Sequence, residues 1–114
     1  MTDHFTQSVL DELENAIGRA GLERVVAAFL DELAGLKEQF EGFGDSNDSD
    51  TVSRCAHTLK SISGTFGAIE LQRVSQSLEE AFRLGQTNVL SEHKSDILNL
   101  IDEALDHFTP IKPE

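Results

Sequence analysis

Proline is nearly absent from this 114-residue chain, and what little it has lies at the carboxyl end. The two prolines are Pro110 and Pro113, so the first 109 residues contain none. Proline removes a backbone donor and clashes with the preceding helical turn, so its absence allows long helices almost throughout. The length suits one domain with a single hydrophobic core.

Cysteine is equally scarce, and long apolar runs are missing. Cys55 is the single cysteine, so no intramolecular disulfide can form. Its position among apolar residues predicts a small buried side chain. No apolar run reaches membrane-spanning length, and no Lys- or Arg-led apolar segment opens the chain. These absences predict a cytoplasmic protein of a reducing compartment.

Positive charge is also in short supply. The chain has nine Lys and Arg residues against 21 Asp and Glu residues, which gives a formal net charge of −12. Nucleic-acid backbones and anionic membrane surfaces both need a basic footprint, so we expect neither as a partner. Hydrophobic residues make up 39% and charged residues 26%, which is typical of a soluble globular protein.

Apolar residues recur at helical spacing in five segments, and no segment shows a convincing strand pattern. Joints rich in glycine or in Asp, Asn and Ser separate these segments. Short joints between long amphipathic helices favour antiparallel neighbours. We therefore predict an all-α fold: an antiparallel up-down-up-down four-helix bundle with an additional N-terminal helix that covers one end. Within a single domain over residues 1–114, the expected helices are about 3–17, 22–43, 48–64, 69–84 and 90–108.

Phenylalanines on the apolar faces are expected to form much of the core. Phe43, at the end of the second helix, is expected to be partly exposed. The predicted core phenylalanines are Phe29, Phe40, Phe66, Phe82 and Phe108.

The third predicted helix carries a histidine on the face opposite its apolar stripe. The stripe has five members at steps of three and four: Val52, Cys55, Leu59, Ile62 and Phe66. At about 100° per residue, His57 lies roughly opposite the middle of this stripe, so its imidazole should stand in solvent. Its neighbours on that face are one cation and small residues, namely Ser53, Lys60, Ser61 and Gly64. Such a surface is open to a large partner.

The remaining histidines are interpreted as ordinary surface residues. His4 is near a terminus that is expected to fray, and His93 lies in a solvated stretch. Glu103 and His107 have i,i+4 spacing, but a metal site in a helix bundle needs such ligands from several helices. We therefore predict no metal site.

The residues around His57 resemble a signalling family. The segment AHTLKSISGTFGA at residues 56–68, followed by Leu71 and by Leu78-Glu79, is similar to the motif of histidine-containing phosphotransfer (HPt) domains. That motif has a His-x-Leu-Lys core, a Gly-Ala turn, a leucine and a later Leu-Glu pair. Ser61 departs from it, because many members have glycine directly after the lysine. The resemblance is sharpest over residues 56–79, and the helical layout extends it over nearly the whole chain.

The resemblance implies a phosphoryl carrier of a two-component phosphorelay. His57 would be the phosphoacceptor, through the Nε2 atom, and Lys60 would accompany the phosphoryl group. The phosphoryl group would come from the phospho-aspartate of a response-regulator receiver domain and pass to a second one. The implied partners are receiver domains and a hybrid or other histidine kinase. Mg²⁺ is expected on the receiver, and no cofactor is expected on this chain.

The residues themselves agree with a carrier rather than an autonomous kinase. The chain has no P-loop pattern and no Gly-rich nucleotide lid. Neutral imidazole is itself a nucleophile, and an unperturbed histidine has a pKa of about 6.5.

The expected partner surface follows from the same helix geometry. Ser53, Ser61 and Gly64 would leave a low ridge around the histidine, and Arg54 and Arg83 would add positive potential. An alternative function stays open: a helical binding module that masks a histidine kinase or a receiver, with the histidine never phosphorylated.

Overall fold

The computed structural model describes residues 4–44, 49–86 and 88–111. Within these ranges the secondary structure is entirely helical: four α-helices and a short 3₁₀ helix. The helices are α1 (Gln7–Gly42), α2 (Ser49–Thr65), α3 (Ile69–Arg83) and α4 (Val89–Phe108), followed by the 3₁₀ helix Thr109–Ile111. The prediction of an all-α fold is confirmed. Most of the joint between the second and third predicted helices, the first residue of the third predicted helix (Asp48) and Pro113 lie outside the described residues.

The first and second predicted helices form one element, α1, with a kink at Gly18. Gly18 has φ 79° and ψ 169°, and it alone has non-helical backbone angles within α1. These angles are almost restricted to glycine, because a side chain would clash with the backbone. A single residue therefore reorients the chain where the sequence predicted a loop of several residues.

The four helices pack as a closed ring. Contacts join α1 to α2, α2 to α3, α3 to α4, and α4 back to α1. Within the described ranges, none joins α1 to α3 or α2 to α4. The α2–α3 side of the ring therefore lies opposite the α1–α4 side.

Aromatic side chains fill the centre of the ring. Phe29 of α1 stacks on Phe66 at 4.2 Å between ring centroids and meets Phe108 of α4 edge-on at 5.1 Å. The prediction that five phenylalanines pack in the core is confirmed, since all five are buried. The prediction for Phe43 is wrong: it is 7% exposed and packs edge-on against Phe40.

A lysine from α4 caps the C-terminal end of α1. The Lys94 ammonium donates hydrogen bonds to the carbonyls of Glu41 and Phe43, at 3.0 and 2.7 Å. A cation at carbonyl groups left unpaired by a helix end is a favourable cap. This contact fixes the chain where Phe43 turns inward.

Residues 4–6 form a strap over the turn between α2 and α3. The Thr6 N–H donates to the Gly67 carbonyl at 2.8 Å, and Phe5 stacks on His107 at 3.9 Å. His4 Nδ1 lies 2.5 Å from a carboxylate oxygen of Glu103, so the expectation of a frayed His4 is wrong. The strap covers the turn between α2 and α3 at one end of the bundle.

Gly67 allows this close approach. Its φ is +75°, and a Cβ built there would lie 2.9 Å from the Thr6 carbonyl oxygen. Glycine is therefore required both for the left-handed turn and for contact with the strap.

No helix among the described residues combines the length and apolarity needed to cross a membrane.

Candidate functional site

His57 lies in the middle of α2, in its third turn, with its side chain largely in solvent. The apolar stripe on the other side of the helix packs into the bundle, and Val52 and Leu59 are fully buried. The His57 side chain is 59% exposed. The amphipathic pattern thus orients the imidazole outward, while its backbone is held in a packed helix.

A carboxylate from the neighbouring helix holds the imidazole. Glu79 of α3 places one carboxylate oxygen 2.6 Å from His57 Nδ1. An ionised carboxylate can only accept hydrogen bonds, so Nδ1 carries the proton in this contact. The neutral ring then has its lone pair on Nε2, because only one of the two ring nitrogens is protonated. Nε2 is therefore the ring nitrogen with a lone pair that is not engaged by Glu79.

The second oxygen of the same carboxylate binds Lys60. The Lys60 Nζ donates to Glu79 at 2.6 Å, and its side chain is 28% exposed. Partial burial tends to raise the pKa of Glu79, but hydrogen bonds from Lys60 and His57, with their charges, outweigh burial and lower the pKa below 4.5. Glu79 is therefore ionised at neutral pH, and an ionised carboxylate can accept the hydrogen bond from His57 Nδ1–H.

The two predicted arginines lie on opposite flanks of His57. Arg83 lines a cleft of about 220 Å³ between α2 and α3, together with Lys60 and Glu79, and it pairs with Glu80 at 2.8 Å. Arg54 lines a cleft of about 230 Å³ on the α1 side. Both side chains are exposed, so each could approach a partner seated over His57.

The predicted ridge of small residues is uneven. Ser61 is exposed, whereas Ser53 and Gly64 are partly buried. A Cβ built at Gly64 would lie 2.4 Å from the side-chain amide of Gln72 in α3. The surface beside Gly64 is therefore occupied by the Gln72 side chain.

Glu79 is the site residue that the helical periodicity of the sequence did not find. It lies 22 residues from His57, so no spacing within one helix relates them. The expectation of a histidine beside one cation and small residues was incomplete for this reason. The signal available was the Leu78-Glu79 pair of the HPt motif, which did not by itself give the carboxylate a role.

No group of three or more His, Cys, Asp or Glu side chains in the described ranges could hold a metal ion. Cys55 is buried on the core side of α2, and burial raises the pKa of its thiol. A buried thiol of raised pKa is a poor nucleophile. Of the Cys55 thiol and the His57 imidazole, only the imidazole is therefore exposed.

Comparison with known proteins gives one match. The family model described as Hpt domain matches residues 24–107, a range that contains His57, Lys60 and Glu79. A search of curated proteins found no match, and neither did a search of solved structures. The match covers most of the chain and leaves out the strap and the first part of α1. The chain therefore belongs to the Hpt domain family.

Proposed function

We propose that this protein carries a phosphoryl group on Nε2 of His57 between aspartates of response-regulator receiver domains. Family membership supports a role in two-component phosphorelay. The observation that carries the proposal is the 2.6 Å contact between His57 Nδ1 and Glu79, with the imidazole largely exposed. This contact leaves the Nε2 lone pair directed away from the carboxylate, where a phosphoryl donor can reach it.

The transfer step needs little from the chain besides the positioned nucleophile. The Nε2 lone pair attacks the phosphorus of the partner's aspartyl phosphate, and the phosphorus–oxygen bond to the aspartate breaks. The aspartate leaves as a carboxylate, and the imidazole ring gains positive charge. Glu79 stabilises that charge through Nδ1–H, because a carboxylate at hydrogen-bond distance favours the cationic ring. The reverse sequence returns the phosphoryl group to a second aspartate.

Lys60 is placed to neutralise the phosphoryl oxygens. In the unphosphorylated chain its ammonium binds Glu79, and its flexible four-carbon side chain has three donors. Rotation toward Nε2 would let Lys60 donate to the phosphoryl group while Glu79 keeps its contact with Nδ1. Mg²⁺ would be supplied by the receiver domain.

The proposal extends to the chain's architecture, partners and location. Joints of a few residues between consecutive packed helices support an antiparallel up-down-up-down bundle with the segment before Gly18 as an added N-terminal helix. Receiver domains and a hybrid or other histidine kinase are the proposed partners. The proposed location is the cytoplasm, and the proposed role is that of a carrier rather than an autonomous kinase.

Labelling by a panel of phosphorylated receiver domains tests the proposal. We expect an acid-labile, alkali-stable label on the wild-type chain and none on a His57→Gln variant. Phosphoramidate, a small phosphoryl donor, serves as a second donor that needs no protein docking. Labelling by phosphoramidate but by no receiver would favour the masking module. Undiminished labelling of His57→Gln would place the phosphoryl group elsewhere and overturn the proposal.

A further inference from the structure

We infer that the α2–α3 face around His57 fits a partner whose docking surface is itself acidic, because the chain carries its excess negative charge on the opposite face. This inference rests on the proposed phosphotransfer function. It adds the charge of the partner's docking surface, which nothing in the family match specifies.

The charge of the four helices is strongly divided. Helices α1 and α4 together contain thirteen acidic and four basic side chains, a formal charge of −9. Helices α2 and α3 contain four acidic and four basic side chains, so they carry no net charge. A chain with a net charge of −12 thus has one electrically balanced side.

The ring of helices turns this division into two opposite faces. Helices α1 and α4 pack together, and within the described ranges α1 does not contact α3 and α4 does not contact α2. The acidic helices α1 and α4 therefore lie on the opposite side of the bundle from the balanced helices α2 and α3. His57 lies on the balanced face. Lys60 and Arg83 line the cleft beside it, and Arg54 lies on its other flank. His57 therefore has three cations around it, of which Lys60 and Arg83 pair with Glu79 and Glu80, on a face that is balanced rather than acidic.

This arrangement suits an acidic partner and would not suit a basic one. A phospho-aspartate site that holds Mg²⁺ needs carboxylates as metal ligands, so its mouth carries negative charge. Like charges brought together at an interface oppose docking, whereas a balanced face with cations around the nucleophile removes that opposition. The face formed by α1 and α4, with its formal charge of −9, would repel the same acidic site of the partner. Encounters would therefore favour the face that carries His57. A basic partner would be drawn to the acidic face, away from the nucleophile.

Two variants that each add two negative charges distinguish the effect of where the charge is placed from the effect of net charge. The first carries Ser61→Glu and Gln76→Glu, at exposed positions on α2 and α3. The second carries Ser91→Glu and Ser95→Glu, at exposed positions on α4. Ser61→Gln, with Gln76 unchanged, is the control for side-chain size. All variants are first checked for helicity by circular dichroism and for His57 labelling by phosphoramidate.

The readout is the bimolecular rate of transfer from a phosphorylated receiver domain that labels the wild-type chain. We expect the α2–α3 variant to be slower by about tenfold at low salt and to approach the wild-type rate near 0.5 M salt, where exposed charges are screened. We expect the α4 variant to transfer at nearly the wild-type rate. The Ser61→Gln control reports any steric effect of the larger side chain, and its rate should keep the salt dependence of the wild-type rate.

Three results would overturn the inference. Equal slowing of both acidic variants would show that net charge alone matters. No slowing of the α2–α3 variant, or faster transfer by it, would show that the partner's docking surface is not acidic. If the wild-type chain takes label from phosphoramidate but from no receiver domain, the proposed function fails and the inference fails with it.

Discussion

Replacing Glu79 by glutamine tests the contact on which the site depends. In the proposed transfer the ring gains positive charge as Nε2 bonds to phosphorus, and Glu79, 2.6 Å from Nδ1, would stabilise that charge. Opposite charges about 4 Å apart attract by about 1 kcal/mol in water and about 4 kcal/mol at an effective dielectric constant of 20. His57 is 59% exposed, and Lys60 shares the carboxylate, so about 1–2 kcal/mol applies here. Glu79→Gln should therefore slow phosphorylation of His57 by about 5- to 30-fold.

The assay uses phosphoramidate in excess, so that the observed rate reports the nucleophile and not protein docking. Glu80→Gln is the matched control, because Glu80 is the next residue of α3 and pairs with Arg83 rather than His57. Nitrogen NMR of the imidazole provides a structural readout: Glu79→Gln should weaken the preference for the Nδ1–H tautomer. Equal rates for wild type and Glu79→Gln, with an unchanged tautomer, would refute the role assigned to this carboxylate.

Three further predictions concern the site's titration and the packing beneath it. Lys60→Gln should raise the pKa of Glu79 toward 4.5, so the variant should lose less folding stability than wild type as the pH falls below 4.5, because less of that stability then depends on an ionised Glu79; urea unfolding between pH 3 and 7 measures the difference, and an equal loss in both proteins would contradict it. Gly67→Ala should lower the free energy of unfolding by about 3 kcal/mol and Gly85→Ala by about 1 kcal/mol. Both residues have positive φ, but only at position 67 would the added methyl group also contact the strap. Equal losses in urea unfolding would contradict the strap contact. Ser63→Ala should stabilise the fold by about 1 kcal/mol in the same assay, because the buried Ser63 hydroxyl has no hydrogen-bond partner in the described structure; a clear loss of stability would show that the hydroxyl is bonded.

Periodicity predicted the helical class and the orientation of His57, because both depend on residues close in sequence. The steps of three and four that bury Val52 and Leu59 also place His57 on the outside of α2. The gap at residues 18–21 between the first two predicted helices correctly marked a break. Its exact form, a one-residue kink at Gly18 within α1, depends on backbone angles that composition does not encode.

Contacts between distant segments could not be read from the same patterns. The carboxylate of Glu79 meets His57 only because α2 and α3 pack side by side, and the register of that packing is a tertiary property. The inward turn of Phe43 depends likewise on Lys94, 51 residues away, and His4 is held by Glu103, 99 residues away. These three positions were predicted incompletely or wrongly because their partners lie on other elements.

The central claim is that the phosphoryl group resides on Nε2 of His57. Two-dimensional NMR that correlates phosphorus with nitrogen, on uniformly ¹⁵N-labelled chain phosphorylated by a receiver domain, tests this most directly. The account predicts one phosphoramidate signal coupled to Nε2 of His57, with Nδ1 protonated, and no such signal in His57→Gln. A phosphoryl group bonded to Nδ1, to another histidine or to a carboxylate would contradict it.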